Sequence, residues 1–200
     1  MTWERLTVAD FMTALWSGGT TTQLAISPEG AVYADRDFLW RLSSAKVELE
    51  HSDFTPLPDY SRLLSVLSGD LELRIGKGER FPLERLTVCS FDGGTPVESW
   101  GHCVDFNLML RKDACSGMVQ SLTLQADGGL SWTAPVPAPQ EYPNCTLALY
   151  CVSGHFFLAG ENTEAATGEL LLCRTADILH PLQIESAAGA EIMAAVIYFR

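Results

Sequence analysis

The sequence predicts an all-β protein with few short helices, and three observations carry that prediction. Brief segments with apolar–polar alternation of period two follow one another along the chain. Turn residues punctuate them at short intervals, and a 3.6-residue apolar period is nearly missing. Strands at such spacing build a sandwich or a barrel.

Taken in order, the first element is expected to be a short helix. Asp10 stands as a cap before Phe11-Met12-Thr13-Ala14-Leu15-Trp16, and Gly18-Gly19 follows as a stop. Strands are then expected over 23–27, 39–47, 63–67, 71–75, 86–90, 105–111, 118–124, 146–152, 155–158, 169–173 and 192–199, with a short turn near 58–64. Ser68-Gly69-Asp70 and Asp127-Gly128-Gly129 read as turns between them. Pro135-Val136-Pro137-Ala138-Pro139 resembles a linker that divides the chain unequally. No strict repeat is present, but Val66-Leu67-Ser68-Gly69-Asp70-Leu71 and Cys151-Val152-Ser153-Gly154-His155-Phe156 share the order strand, Ser-Gly, strand.

Composition excludes several classes of function. A formal charge of −12 without a basic cluster argues against a nucleic-acid partner and against an anionic membrane surface. Met1-Thr2-Trp3-Glu4-Arg5 lacks the layout of a signal peptide, and no apolar run reaches membrane-spanning length, so a cytoplasmic protein is expected. The cysteines at 89, 103, 115, 145, 151 and 173 form no C-x-x-C pair and read as reduced, mostly buried thiols. His51, His102, His155 and His180 make no H-x-H or H-x-x-x-H pattern, so no metal site and no cofactor are expected. There is no G-x-S-x-G elbow either.

The segment Asp105-Phe106-Asn107-Leu108-Met109-Leu110-Arg111 alternates strictly. One face carries Phe106, Leu108 and Leu110, the other Asp105, Asn107, Met109 and Arg111. Either the polar face meets water over an apolar core, or it lines a small barrel where an acid, an amide and a guanidinium converge on one ligand. In Trp40-Arg41-Leu42-Ser43, Arg41 and Ser43 share a face. Arg41 is then either a ligand-facing cation or half of a structural ion pair with Asp105. Arg62 is a second cation over the same mouth or a solvated loop residue. Gly18-Gly19-Thr20-Thr21-Thr22 offers backbone N–H groups and hydroxyls, Thr20 among them, that could close on a carboxylate; the plainer reading is a helix end followed by a strand. Trp16 is a wall or a core residue.

Six pieces together resemble the HutD/Ves family of double-cupin proteins: Trp16-Ser17-Gly18-Gly19-Thr20-Thr21-Thr22, Trp40-Arg41-Leu42-Ser43-Ser44-Ala45, Phe54-Thr55-Pro56-Leu57-Pro58 running into Tyr60-Ser61-Arg62, Val66-Leu67-Ser68-Gly69, Phe91-Asp92-Gly93-Gly94-Thr95-Pro96-Val97, and the Asp105–Arg111 strand. Ser17 departs from the family's usual Asn, and Leu110-Arg111-Lys112 from its paired arginines. The resemblance implies a bicupin: two cupin-type β-barrels or sandwiches, a first over 1–134 and a smaller one over 140–200, intimately packed. It implies that Asp105, Asn107 and Arg111 look into the first barrel, with Thr20, Arg41 and Arg62 as the further ligand-binding candidates. It also implies a link to histidine utilisation or to the stress response, a small anionic ligand such as N-formylglutamate, urocanate or formate, and allows a homodimer. Binding or regulation without turnover is the leading expectation. The alternatives are a metal-free isomerase or lyase with Asp105 as base, and a scaffold for protein contacts with a vestigial pocket.

Overall fold

The structure, a computed structural model, describes residues 1–134, 141–174 and 180–200. Its strands, in chain order, are β1 (Glu4–Leu6), β2 (Met12–Trp16), β3 (Gly19–Ser27), β4 (Trp40–Val47), β5 (His51–Asp53), β6 (Tyr60–Gly69), β7 (Glu72–Ile75) and β8 (Phe81–Pro82). Then follow β9 (Val88–Asp92), β10 (Val97–Trp100), β11 (Cys103–Arg111), β12 (Cys115–Trp132), β13 (Asn144–Leu158), β14 (Thr163–Ala166), β15 (Leu170–Cys173) and β16 (Leu182–Phe199). Among the described residues the one helical element is a 3-10 turn at Tyr33–Asp35, and no helix is long and apolar enough to cross a membrane.

The chain divides into two compact units, residues 11–114 and residues 1–10 with 115–200. The linker expected at 135–139 lies outside the described residues; the division falls after Ala114 instead, because β12 pairs along its length with β16.

In the 11–114 unit, a six-stranded antiparallel sheet runs β2-β3-β4-β11-β6-β9 and a four-stranded sheet runs β5-β10-β7-β8. Val47, Leu64 and Val66 from the first sheet meet Leu73 and Val97 from the second in one apolar cluster. A second cluster of Ile26, Phe38, Leu57, Tyr60 and Met109 fills one end. In the other unit β1-β15-β13-β16-β12 form a single sheet around an apolar cluster that includes Leu149, Phe156, Ile184 and Ile192. The sheet can follow that cluster because its long strands are interrupted by bulges, such as the register shift between Cys151 and Ser153.

Two local expectations are corrected. The helix expected over 11–16 is β2, which pairs antiparallel with β3 from Met12↔Gln23 to Trp16↔Gly19. The β-branched run Thr20-Thr21-Thr22 supplies the partner strand, and a Thr13–Thr22 hydroxyl bond of 2.9 Å ties the two together, so pairing overrides the capping signal. Asp127-Gly128-Gly129 is not a hairpin turn. Asp127 takes a positive φ of 52°, yet β12 continues through it in register with β16.

The shared Ser-Gly pattern has matching geometry in the two units. Gly69 (φ 80°) and Gly154 (φ 82°) are both left-handed. A Cβ on Gly69 would lie 2.2 Å from the His102 carbonyl oxygen, and one on Gly154 would lie 2.1 Å from that of Gly189. None of the six cysteines is in a disulfide, five of them are buried, and burial pushes the thiols of Cys103, Cys145 and Cys151 up to about 12.

Candidate functional site

The polar face of β11 looks inward. Asp105, Asn107 and Met109 line a cavity of about 320 Å³ together with Arg41, Ser43 and Ala45 of β4 and Arg62 of β6. Phe106, Leu108 and Leu110, on the opposite face, are buried as well, so the strand has no solvated side. β11 lies between β4 and β6, and the register Asn107↔Ser43 on one side and Met109↔Arg62 on the other brings the polar residues of three strands onto one surface. Every lining residue belongs to the 11–114 unit.

Four of the six expected ligand-binding residues therefore share one cavity: Arg41, Arg62, Asp105 and Asn107. Arg111 is placed elsewhere. Its guanidinium donates to the carbonyls of Phe38 (2.9 Å) and Arg36 (2.8 Å) and to the Tyr60 hydroxyl (3.0 Å), and it pairs with Asp37, which pins the 36–38 segment. Thr20 does not line the cavity. It pairs with Leu15 and Lys46, and its neighbour Thr21, on the other face of β3, takes that place.

The electrostatics are unusual for so acidic a chain. Arg41 (5% exposed) and Arg62 (7% exposed) are both buried. Burial lowers the Arg41 guanidinium to about 10 and lowers that of Arg62 too; a guanidinium in a protein keeps its proton at neutral pH. Arg41 Nε donates to Gln23 Oε1 at 2.8 Å, and its guanidinium stacks over the Tyr33 ring at 4.3 Å. The Arg62 guanidinium lies 4.8 Å from the Phe54 ring centroid and 5.3 Å from that of Phe91, while its Nε has no hydrogen-bond partner. Asn107 Oδ1 is likewise buried without a partner. The alternative of an Arg41–Asp105 ion pair is not realised among the described residues.

Asp105 has a structural task. Its Oδ1 accepts from the Ala45 N–H at 2.9 Å, and its carbonyl accepts from the Ser44 hydroxyl at 2.6 Å. These bonds span the gap in the β4–β11 ladder between Val104↔Lys46 and Asn107↔Ser43. Burial raises its carboxyl to about 6, against the opposing pull of the Ala45 N–H, Arg62 and Arg41. Between the ordinary carboxylate range and about 6 the folded state holds a proton that the unfolded chain releases, so stability falls as pH rises through that window, by up to about 3 kcal/mol.

Asp105→Asn keeps an acceptor for Ala45 and removes the charge. It is expected to flatten this pH dependence in urea denaturation and to tighten anion binding several-fold at pH 7. Asp105→Ala strands the Ala45 N–H and should cost about 1–3 kcal/mol. A pH profile identical in wild type and Asp105→Asn would show that the carboxyl titrates elsewhere.

Gln23, Ser43, Tyr33 and Phe54 belong to the site but were not among its expected residues. Ser43 was within reach, since it alternates with Arg41. Tyr33 and Phe54 lie outside the strands, on the 3-10 turn and just past β5, where period two says nothing. Among the described residues, His51, Asp53 and Glu98 are the group whose ligand atoms lie within 4.8 Å of one another. All three are at least partly exposed, and Glu98 already pairs with Arg74.

The two antiparallel β units give the chain a double-cupin (bicupin) fold. A conserved protein of unknown function from Pseudomonas aeruginosa matches it with a TM-score of 0.80 at 24% identity, over 98% of this chain and 99% of that one. HutD from Pseudomonas fluorescens matches with a TM-score of 0.77 at 19% identity over the whole of both chains. Protein Ves of Cronobacter sakazakii is 31% identical over 113 residues, which span 53% of this chain and 59% of that protein. The chain belongs to the HutD family, whose model matches residues 8–193.

Proposed function

We propose that the 11–114 unit binds a small carboxylate without a metal, in a regulatory rather than catalytic role. The observation that carries this reading is the pair of buried, unpartnered polar atoms at the cavity, Arg62 Nε and Asn107 Oδ1, beside a second buried guanidinium. A buried donor without a partner is costly, and a carboxylate accepting from a guanidinium edge relieves that cost with charge-assisted bonds. Ring stacking uses the guanidinium faces and leaves their N–H edges for such an acceptor. Asn107 adds recognition of an amide, formyl or hydroxyl group. N-formylglutamate, urocanate and formate are the ligands proposed, in a cytoplasmic protein tied to histidine utilisation or the stress response. The P. fluorescens HutD structure was determined in a formate condition, which agrees with this ligand class.

Thermal unfolding against these carboxylates, simple sugars and divalent metals tests the reading. Selective stabilisation by a carboxylate, lost in Arg41→Ala and in Asn107→Ala, is expected. Stabilisation by metals alone would overturn it, and no shift with anything would leave the scaffold reading ahead. A second reading, a metal-free isomerase or lyase, is favoured by one observation: Asp105, with its carboxyl raised to about 6, suits a general base. Under that reading Asp105→Asn abolishes turnover, whereas a binder keeps its ligand.

A further inference from the structure

The cavity is polarised along its depth. Its deep surface is made by Arg41, Ser43, Arg62, Asp105, Asn107 and Met109, all buried. Its rim is made by Ala14 and Trp16 of β2, with Tyr33, Phe54 and Thr55, each exposed or half-buried. The charged lining residues are Arg41, Arg62 and Asp105 below and Asp53 at the exposed rim, and Arg36 stands beside the rim with its guanidinium 3.9 Å from the Tyr33 ring centroid. The rim also carries a collar of aromatic groups, Trp16 among them.

Trp16 is the part of this collar that stacks on no guanidinium. Tyr33 and Phe54 already lie over Arg41 and Arg62. The Trp16 indole enters no ring–ring or cation–ring contact among the described residues. It lies across Gly18, where a Cβ would come within 2.1 Å of its six-membered ring, so the missing side chain at Gly18 permits this placement. An indole held at the mouth of a charged cavity on an edge hairpin offers apolar surface to a ligand that reaches the rim.

We propose that the ligand is a monocarboxylate bearing a flat apolar or aromatic group: the carboxylate takes the Arg41 and Arg62 edges, and the planar tail lies against Trp16 at the rim. This inference rests on the carboxylate reading above and narrows it. A cavity of about 320 Å³ holds roughly ten water-sized groups, far more than formate fills. A dicarboxylate whose second charge reached Asp53 would meet like charge there. Of the carboxylates proposed above, urocanate has the required shape and N-formylglutamate does not.

Isothermal titration of the full chain with formate, cinnamate and glutarate tests this. Cinnamate should bind at least about tenfold more tightly than formate, since its tail removes apolar surface from water, and glutarate no more tightly than formate. Trp16→Ala should bring cinnamate to the formate level and leave formate unchanged. Asp53→Asn should strengthen glutarate several-fold and leave cinnamate unchanged. Glutarate binding as tightly as cinnamate, or cinnamate indifferent to Trp16→Ala, overturns the proposal while the carboxylate reading stands. Failure of all three to bind wild type overturns both.

Discussion

Arg62→Met is expected to make the ligand-free protein more stable and to weaken carboxylate binding by on the order of a hundredfold. The guanidinium is buried, its Nε bonds nothing, and its charge is held against the rings of Phe54 and Phe91. Burial lowers its proton affinity, which is the sign of a cation that folding places in an unfavourable medium. Methionine preserves most of the stem volume and removes the unsatisfied donors, so a gain of about 1–3 kcal/mol is expected. The same change deletes a cation that a carboxylate would meet at depth. Urea denaturation without ligand and formate titration check the two halves. A variant less stable than wild type would show that the guanidinium is a structural tie rather than a residue kept for a ligand.

Gly69→Ala is expected to lower stability by at least about 2 kcal/mol. At φ 80° an alanine is strained, and its Cβ would meet the His102 carbonyl oxygen at 2.2 Å and the Cys103 Cα at 3.0 Å. Relief requires β6 and β11 to separate where Cys103 pairs with Gly69, next to the register shift between Val104 and Asp105. That shift keeps Arg62, Leu64 and Val66 on the same side as Asp105 and Asn107, so formate affinity should fall together with stability. The urea midpoint and a formate titration report both effects. An unchanged midpoint would show that this strand pair opens at no cost.

Period-two alternation was enough to locate most of the strands, because burying one face imposes it wherever a strand is laid down. It failed at β2, where a capping residue and a following Gly-Gly imitate a helix and only the partner strand Thr20-Thr21-Thr22 decides otherwise. It split elements at Ser153-Gly154 and at Asp127, because a left-handed residue reads as a turn in sequence yet sits inside a paired strand, beside register shifts in β13 and in register in β12. Of the site, Arg41, Asp105 and Asn107 were legible as residues of unusual chemistry on alternating faces. Arg111 shares their face by parity yet stands at the strand end, where Phe38, Arg36 and Tyr60 claim it.

The amino-acid sequence alone is enough to show that the chain is all-β, that its cysteines form no C-x-x-C pair, and that Asp105, Asn107 and Met109 share one face of a strand. All of these are set by local chemistry and by alternation along a single segment. Which face looks inward is set by the assembled sheet. That choice depends on β4 and β6 bringing Arg41 and Arg62 to the same surface, and on Tyr33, Phe54 and Trp16 closing over it from loops and an edge hairpin. No single segment encodes it, because charge convergence and burial are properties of strands brought together across the sheet.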